Sequence, residues 1–286
     1  MSSNHFFTDI KKYINFLLQY ITRSRTRKKD HDLGNGLKLF YWRLSSDTEN
    51  LGDYLSKVVV SHFIPKNNLR SSKKRKTIYG IGSIIGFRCQ NAVVWGSGIL
   101  HIHQDLKKYI CHSKLDIRAV RGPKTRQALQ DWGINCLEVY GDPAILMPLI
   151  YKPKTTEKKY PVSIVLHYEH NHFDIPEDQN IHLINICTKD YKQFIDEIAQ
   201  SSLVISSSLH GIILAEAYGV PAVTLLKKEA IVFKFEDWYL STGRDNIMIA
   251  RTVEEALSLP PMVLPDLSDM QKQLLQAFPA DLWDVQ

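Results

Sequence analysis

Short apolar strands alternate along this chain with stretches of helical periodicity, and this alternation constrains the fold more than any other feature. In the first half, strands are predicted at residues 37–42, 76–81, 92–95, 117–120 and 137–140. A helix is predicted at 123–132, because Pro123 stands in its first turn and Gly133 follows its last. Such alternation is typical of a parallel sheet with helices on both faces. Residues 31–150 are therefore expected to form a Rossmann-like domain.

The same alternation returns after residues 148–161, a stretch rich in Pro, Lys and Thr that is typical of a linker. Strands are predicted there at 162–166, 182–186, 203–206 and 222–226, and helices at 191–200, 209–218, 253–257 and 267–277. We expect residues 151–286 to form a second Rossmann-like domain. Two such domains enclose an interdomain cleft, and ligands are expected at the carboxyl ends of the strands that face it.

The composition of the 286 residues is that of an ordinary globular protein, with 44% hydrophobic and 23% charged residues. This balance excludes a disordered or collagen-like chain. Four cysteines lie far apart and form no C-x-x-C pair, so we interpret them as reduced thiols of a cytoplasmic protein: Cys89, Cys111, Cys136 and Cys187. No apolar run in the sequence approaches the roughly 18 residues of a membrane span, and no signal-peptide core is visible.

Positive charge is concentrated at the front of the chain. Residues 1–76 contain 16 Lys and Arg and 6 Asp and Glu, a local charge of +10, although the whole chain carries only +6. Apolar residues recur at helical spacing between Phe6 and Ile21, and five basic residues follow within 23–29. Residues 1–30 are expected to form an amphipathic, basic segment that binds an anionic membrane surface through residues 6–29. A helix packed on the domain, followed by a solvated basic loop, is the alternative.

Nucleic acid is not an expected partner of this basic segment. Proteins that bind single strands place aromatic side chains among basic ones, so that bases stack while phosphates are neutralised. Here the aromatic and basic residues stand in separate stretches. The charge therefore indicates where the protein resides rather than a nucleic-acid substrate.

The segment 204–221, Val-Ile-Ser-Ser-Ser-Leu-His-Gly-Ile-Ile-Leu-Ala-Glu-Ala-Tyr-Gly-Val-Pro, carries the strongest functional signal. A buried strand runs here into three serines, His210 and Gly211, after which a helix begins. This order places the hydroxyls of Ser207 and Ser208, backbone N–H groups and an imidazole at a helix N-terminus, where phosphate is favoured. In the alternative interpretation, the serines cap the helix and His210 fills a turn.

Five further segments accompany this one along the chain. They are Glu49-Asn-Leu-Gly-Asp-Tyr-Leu55, Val94-Trp-Gly-Ser-Gly-Ile99, Arg118-Ala-Val-Arg-Gly-Pro-Lys-Thr125, Tyr140-Gly-Asp-Pro-Ala144 and His167-Tyr168. Together with 204–221, which ends in the pattern A-x-x-x-G-x-P, they resemble the motifs of the polysaccharide pyruvyl transferase family in residue type and order. The resemblance covers about residues 49–240. Each segment alone is a weak signal, whereas six in the right order are fairly specific.

The resemblance implies a glycosyltransferase-B-like arrangement of the two domains and transfer of pyruvate from phosphoenolpyruvate to a sugar of a surface polysaccharide or its precursor, as a ketal. Such chemistry needs a general acid, a base or positioning carboxylate, and cations for the donor's phosphate and carboxylate. It needs no redox cofactor and no obligatory metal. The expected partners are phosphoenolpyruvate and a sugar or lipid-linked glycan. The expected location is the cytoplasm, or the cytoplasmic face of the membrane as a peripheral protein.

His210 is the first choice for the acid, or for a donor to phosphate, because histidine ordinarily titrates near the working pH. Arg121 opens a Gly-Pro turn into a helix and is expected to bind phosphate or carboxylate. An ion pair at the helix N-terminus is the alternative for Arg121. Arg118, near the end of the preceding strand, is expected to assist unless its register turns it away.

Position 208 departs from the family pattern, because Ser208 stands where much of the family has arginine. Another cation is therefore expected to take that role, and Lys227 and Lys228 are candidates unless they form a solvated pair. His167, in the His-Tyr element, is expected to donate a hydrogen bond in the cleft. The pattern H-x-x-H-x-H at 167–172 does not predict a metal site, since no cysteine or carboxylate set completes it.

The acceptor side is expected at the first strand-to-helix loop, where Asn50, Gly52 and Asp53 would meet the sugar. Asp53 is the candidate base, and helix capping is its alternative role. Three small residues of a turn would allow close backbone approach to a ligand: Gly96, Ser97 and Gly98. Asp142 is included among the binding residues, although a carboxylate before Pro143 is also typical of a turn.

Two rival functions remain open at this stage. A nucleotide-sugar glycosyltransferase of the same fold would need a carboxylate that reads ribose or base, and Glu216 and Glu229 are available. A non-catalytic scaffold of a polysaccharide complex is supported only by Ser208. The aromatic segment 233–239 is predicted either to line a sugar site by stacking or to form a core-closing helix.

Overall fold

The computed structural model describes residues 30–34, 36–44, 49–65, 76–87, 91–100, 102, 104–111, 114–169, 173–227 and 232–283. The predicted amphipathic and basic segment at 6–29 lies outside these residues. So do several residues singled out from the sequence: Cys89, Lys228, Glu229 and positions 170–172. The interpretations given for them stay predictions.

The first sheet has five strands, in the order β1-β2-β3-β4-β5. They are β1 (His31–Gly34), β2 (Leu37–Phe40), β3 (Thr77–Tyr79), β4 (Ala92–Trp95) and β5 (Leu115–Ala119). Strands β2 to β5 run parallel, while β1 pairs antiparallel with β2. The helices of this half are α1 (Leu51–Phe63), α2 (Gln104–Cys111) and α3 (Pro123–Asp131). Every residue of β4 is buried, as expected of a strand covered on both faces.

The second sheet also has five strands, all paired in parallel, in the order β10-β9-β8-β6-β7. They are β6 (Tyr160–Val165), β7 (Ile181–Leu183), β8 (Ser201–Ser206), β9 (Ala222–Leu225) and β10 (Ile249–Ala250). Between the sheets lie a 3-10 helix (Pro143–Leu146) and α4 (Met147–Ile150). The later helices are α5 (Tyr191–Ala199), α6 (Leu209–Ala217), α7 (Val232–Ser241), α8 (Val253–Ser258), α9 (Ser268–Gln276) and a 3-10 turn at Ala280–Leu282.

The predicted α/β class with parallel sheets is confirmed, whereas the glycosyltransferase-B-like arrangement stays a prediction. The strand predicted at 137–140 is wrong, because the chain makes only a single bridge there, between Val120 and Tyr140. Leu137 is 56% exposed, so no buried face drives pairing, and Gly141 turns the chain towards the 3-10 helix with a φ of +135°. Within the described ranges, no helix is long and apolar enough to cross a membrane.

Specific contacts join the two halves of the chain. Leu51 N, at the start of α1, donates to Ile186 O at 2.8 Å. Helix α9 returns to the first half, where Trp95 Nε1 donates to Leu274 O at 2.8 Å and the Trp95 ring meets Phe278 edge-on. Helices α1 and α6 both pack against the 3-10 helix that follows the first sheet. The N-terminal ends of α1 and α6 are thus one place where residues of both halves meet.

Candidate functional site

The turn between β8 and α6 presents His210 as the second residue of the helix. Ser206 Oγ accepts from Ser208 N at 3.0 Å, and Ser207 Oγ accepts from the loop after β6 at 2.8 Å. A Cβ at Gly211 would lie 2.2 Å from Ser206 Oγ, so glycine is required for this packing. Ser208 is the N-cap residue, yet its side chain makes no capping bond. The first two serines therefore build the turn rather than cap the helix.

The imidazole of His210 lies across the N-terminus of α1. A Cβ at Gly52 would be only 2.0 Å from His210 Nδ1, so the bare backbone at position 52 makes room for the ring. The Nε2 atom lies 3.5 Å from Asp142 Oδ2. Asp142 Oδ1 accepts from Ala144 N at 3.0 Å and caps the 3-10 helix. Asp142 is therefore both a turn-former and a neighbour of the imidazole.

Asp53 lies beside His210 and is almost fully buried. Asn50 Nδ2 donates to Asp53 Oδ2 at 2.6 Å, which orients the carboxylate. Burial raises the pKa of Asp53 to about 6, while His210 and the hydrogen bond from Asn50 act in the opposite direction. Such a carboxylate is ionised at neutral pH and suited to accept a proton from a hydroxyl group. We refer to Asn50, Asp53, Asp142 and His210 as the His210 cluster.

Several buried polar atoms in and beside the His210 cluster have no hydrogen-bond partner within the described part of the chain. They are Glu49 Oε2, Asn50 Oδ1, Asp142 Oδ2 and His210 Nε2. Buried polar groups are nearly always hydrogen-bonded in folded proteins, so several unpaired ones in adjoining residues are typical of a ligand site. Three acceptors and one imidazole nitrogen suit a substrate that carries hydroxyl groups.

Arg121 is fully buried in an ion pair. Its Nη2 lies 3.1 Å from Asp237 Oδ2, and both side chains have 0% exposure. Asp237 also accepts from Thr125 N at 2.9 Å and so occupies the N-terminus of α3. A Cβ at Gly98 would be 2.4 Å from Arg121 Cζ, so Gly98 makes room for the guanidinium. The structure shows the ion pair at the helix N-terminus, and contact between Arg121 and a substrate stays a prediction.

The other small residues of the turn at 96–98 pack against protein groups. Gly96 has a φ of +87°, and a Cβ there would lie 2.3 Å from the ring of Pro143. Ser97 Oγ donates to Gly82 O at 2.8 Å. These contacts fix the loops beside the His210 cluster. Approach of a ligand to Gly96, Ser97 or Gly98 stays a prediction.

Arg118 is held in a surface ion-pair network and is not part of the His210 cluster. Its guanidinium lies 2.6 Å from Asp116 and 2.9 Å from Asp281. Asp116 stands two residues earlier on the same face of β5 and therefore captures it. The ammonium of Lys227 lies 4.8 Å from the centroid of the Phe173 ring. Roles for Arg118 and Lys227 in substrate binding stay predictions.

His167 lies on the loop that follows β6. Its backbone N–H donates to Ser207 Oγ at 2.8 Å, and its ring stacks on Tyr168 with centroids 4.5 Å apart. Burial raises the pKa of Tyr168, with Glu169 and Asp53 acting in the same direction. Tyr168 is therefore close to the His210 cluster. Across the described ranges, no group of three His, Cys, Asp or Glu side chains is placed to hold a metal ion.

Sequence reasoning misses Lys234, a buried cation in the first turn of α7. It is only 8% exposed. Burial lowers the pKa of Lys234 to about 8, Arg121 acts in the same direction, and Asp53 and Glu169 oppose the shift. Lys234 thus lies within electrostatic reach of the His210 cluster. In the sequence, Lys234 stands one helical turn before Asp237. This spacing is the signal that could have indicated it.

The aromatic segment 233–239 forms most of the core-closing helix α7, not an exposed surface for stacking. Phe235, Trp238 and Tyr239 all have 0% exposure. Trp238 Nε1 donates to Glu216 at 2.8 Å, and Arg244 donates to both oxygens of the same carboxylate at 2.6 and 2.9 Å. Glu216 is neutralised inside the protein, which removes it as the carboxylate of a nucleotide-sugar site.

Two curated relatives cover part of this sequence. ExoV, a succinoglycan biosynthesis protein of Rhizobium meliloti, is 27% identical over 219 residues, which are 72% of this chain and 65% of that protein. An uncharacterised protein of Acanthamoeba polyphaga mimivirus is 30% identical over 149 residues, which are 49% of this chain and 50% of that protein. The chain therefore spans between half and two thirds of the length of these relatives.

A family model and a solved structure are also similar to this chain. The crystal structure of a functionally uncharacterised protein from Klebsiella pneumoniae has a TM-score of 0.49 and 13% identity, and covers 84% of this chain and 98% of that one. The model for polysaccharide pyruvyl transferases matches residues 47–226, which contain the whole His210 cluster. This match extends over more than half of the sequence and confirms the resemblance of the six motifs. The chain therefore belongs to the polysaccharide pyruvyl transferase family.

Proposed function

We propose that this chain transfers the pyruvyl group of phosphoenolpyruvate to two hydroxyls of a sugar in a surface polysaccharide or its precursor, forming a cyclic ketal. The observation that carries the proposal is the His210 cluster, where an imidazole meets two buried carboxylates and where Asn50 Oδ1, Asp142 Oδ2 and His210 Nε2 make no hydrogen bond within the described residues. Membership of the family supports pyruvyl transfer. A relative named for succinoglycan biosynthesis agrees with an acceptor of this class.

In the proposed reaction, C3 of phosphoenolpyruvate gains a proton and becomes a methyl group, which gives C2 oxocarbenium character. One sugar hydroxyl adds to C2 and loses its proton. The bond between C2 and the phosphate oxygen then breaks, and the second hydroxyl closes the ketal as phosphate leaves. The two hydroxyls lose one proton each. One of these offsets the proton added to C3, and the other is taken up by the departing phosphate. The reaction therefore proceeds without an oxidant or a reductant.

His210 is suited to deliver the proton to C3. Its Nε2 makes no hydrogen bond within the described structure, and Asp142 Oδ2, 3.5 Å away, offers a counter-charge to the imidazolium. The Gly52 backbone against Nδ1 fixes the ring. These contacts make His210 the general acid in our proposal and Asp142 the residue that holds its charge.

Asp53 is suited to accept the proton of the first sugar hydroxyl. Its pKa of about 6 leaves it ionised at neutral pH but more basic than an ordinary carboxylate. The 2.6 Å bond from Asn50 fixes one oxygen, and the amide oxygen of Asn50 is free of protein partners within the described ranges, which suits it to accept from a sugar hydroxyl. The acceptor is thereby positioned at the N-terminus of α1.

The proposal is tested by incubating the protein with phosphoenolpyruvate and lipid-linked sugar acceptors, and by measuring release of phosphate together with the mass of the glycan. Acceptor-dependent phosphate release with addition of a ketal-linked pyruvate is expected. His210→Ala should abolish both signals, whereas His62→Ala, an exposed histidine in the last turn of α1, should preserve them. Transfer of a hexose from a nucleotide sugar, without consumption of phosphoenolpyruvate, would contradict the proposal.

We also propose that residues 6–29 attach the enzyme to the cytoplasmic face of the membrane, where a lipid-linked acceptor would be found. The support is the apolar periodicity between Phe6 and Ile21 and the basic residues that follow it. Flotation with anionic vesicles is expected for the full chain and not after deletion of residues 1–30. Equal flotation of both forms would contradict this attachment.

A further inference from the structure

The positive charges in and around helix α7 differ in how fully they are neutralised. Arg121 is paired with Asp237, Lys124 with Glu236, and Arg244 with Glu216. Each of these cations therefore already has a carboxylate partner. None of these three cations is free of a counter-charge when an anion binds.

Lys234 is the exception. It is 8% exposed, yet its ammonium makes no hydrogen bond or ion pair with any residue in the described part of the chain. Its nearest aromatic contact is the neighbouring Phe235 ring, 5.5 Å away. Holding an ammonium in a largely buried side chain without an ion-pair partner is costly, and an anionic ligand would remove that cost by supplying the opposite charge.

The position of Lys234 is fixed by its own helix. Asp237, one turn later in α7, is bound by Arg121 and by Thr125 N at the start of α3. These buried bonds hold the second turn of α7 against the start of α3. Lys234 is thereby held where it interacts electrostatically with Asp53 in α1 and Glu169 in the loop after β6.

We propose that Lys234 is the residue that binds the anionic donor, holding the phosphate or carboxylate of phosphoenolpyruvate beside His210 and Asp53. The inference rests on the proposed function. Phosphoenolpyruvate carries two anionic groups at neighbouring carbon atoms, and Ser208 brings no charge to the start of α6. A lysine ammonium held in a buried position can approach either group and form charge-assisted hydrogen bonds with it.

Binding of the donor should depend on pH through this lysine. An anion favours the charged ammonium, whereas burial within the protein lowers the pKa of Lys234 to about 8. The charged groups that act on it are Arg121, Asp53 and Glu169 from three other segments, while Asp237 on its own helix is paired with Arg121. Affinity for the donor is therefore expected to fall as the pH rises through about 8.

The test is calorimetric titration of phosphoenolpyruvate into the wild-type protein, Lys234→Met, Lys234→Arg and Lys124→Met. Lys124 lies at the same α3–α7 contact but is paired with Glu236, so its variant is the matched control. Lys234→Met should weaken binding by roughly 10- to 100-fold, the loss expected for one charge-assisted hydrogen bond. Lys124→Met should bind like the wild type. Thermal unfolding of each variant shows whether it is folded.

Lys234→Arg separates charge from structure, and it remains informative even where the methionine variant does not fold. Arginine stays protonated, so its binding should not weaken between about pH 7 and about pH 9, whereas that of the wild type should. If the wild-type protein binds phosphoenolpyruvate and Lys234→Met binds it with the same affinity, the role of Lys234 is overturned. The proposed function is then unaffected. An equal pH dependence in Lys234→Arg would also overturn it. A wild-type protein that does not bind phosphoenolpyruvate would overturn both.

Discussion

His210 and Gly52 come from opposite halves of the chain and meet without space between them. A Cβ at position 52 would lie 2.0 Å from His210 Nδ1 and 2.4 Å from its Cγ. The imidazole thus packs directly against the first turn of α1. Because Gly52 has a φ outside the left-handed region, the need for glycine there comes from the neighbouring ring and not from the backbone conformation.

Gly52→Ala is expected to displace the imidazole and to lower the rate of pyruvyl transfer by about 100-fold or more, since a general acid must lie within hydrogen-bond reach of its target. The cost in free energy of unfolding should be about 1–3 kcal/mol, as for other insertions into packed sites. Turnover and urea denaturation measure the two effects. Gly80→Ala is the control, because its Cβ would meet Val60 at an ordinary 3.4 Å. Full activity in Gly52→Ala would show that the ring need not occupy this position.

The activity is expected to depend on pH through Asp53. Its pKa of about 6 means that the carboxylate becomes protonated as the pH falls through about 6, so kcat/KM should fall over that range. Asp53→Asn should lower kcat/KM by about 100-fold or more at neutral pH. Rates measured from about pH 5 to about pH 8 provide the profile. A flat acidic limb in the wild-type protein would exclude Asp53 as the base.

The ionised carboxylate of Asp53 should lower the stability of the folded protein at the same pH values at which it favours activity. Because its pKa is raised from 3.8 to about 6 in the folded protein, the folded state holds the proton more tightly than the unfolded state does. This contribution to stability, about 3 kcal/mol, is complete below about pH 4 and is lost as the pH rises through about 6. Asp53→Asn has no carboxylate to ionise and should not show this loss. In denaturation experiments, its stability relative to the wild type should therefore rise above about pH 6. A variant whose stability follows the wild type at every pH would contradict the buried carboxylate.

Asp237→Asn is expected to destabilise the protein severely. The substitution leaves the guanidinium of Arg121 buried without a counter-charge and weakens the bond to Thr125 N. The cost should be about 3–5 kcal/mol in the free energy of unfolding. Asp116→Asn, at a partly exposed ion pair with Arg118, should cost less than about 1 kcal/mol. Equal effects of the two substitutions would show that burial does not govern the Arg121 pair.

Glu216→Gln is expected to lower stability without changing the affinity for the donor. The carboxylate is bound by Arg244 and Trp238 within the second half, so its neutralisation leaves a largely buried arginine unpaired. A loss of roughly 3 kcal/mol is expected in urea denaturation. The KM for phosphoenolpyruvate should not change in the folded variant. A selective change in this KM, with normal stability, would place Glu216 in contact with substrate.

The sequence predicts the sheets better than the site because strand burial is a local property. Strands β4 and β8 are read directly from apolar runs that both faces of a parallel sheet require. Strand β1 (His31–Gly34) is missed, since an antiparallel edge strand with polar residues and glycine gives no such run. The boundaries of the predicted strands differ by one to three residues where a strand frays into its loop.

The members of the His210 cluster stand in separate loops of the sequence, and their meeting depends on packing between distant segments. Motifs identified His210, Asp53 and Asp142 individually, but no local pattern indicates that one carboxylate lies 3.5 Å from the imidazole. Lys234 is missed for a related reason. Lysines in helices are normally exposed, and the burial of this one comes from tertiary packing that no local pattern shows.

The contact of Trp95 with α9 has a consequence for how the protein is made. Trp95 lies at the end of β4 and is completely buried, but its covering partners, Leu274 and Phe278, are synthesised far later. Nascent domains generally fold in order as they leave the ribosome. Here Phe63 of α1 covers part of the Trp95 ring, and the rest stays exposed until the segment 268–283 has emerged. Termination of translation before that segment should therefore yield an aggregation-prone, chaperone-dependent chain rather than a folded N-terminal half.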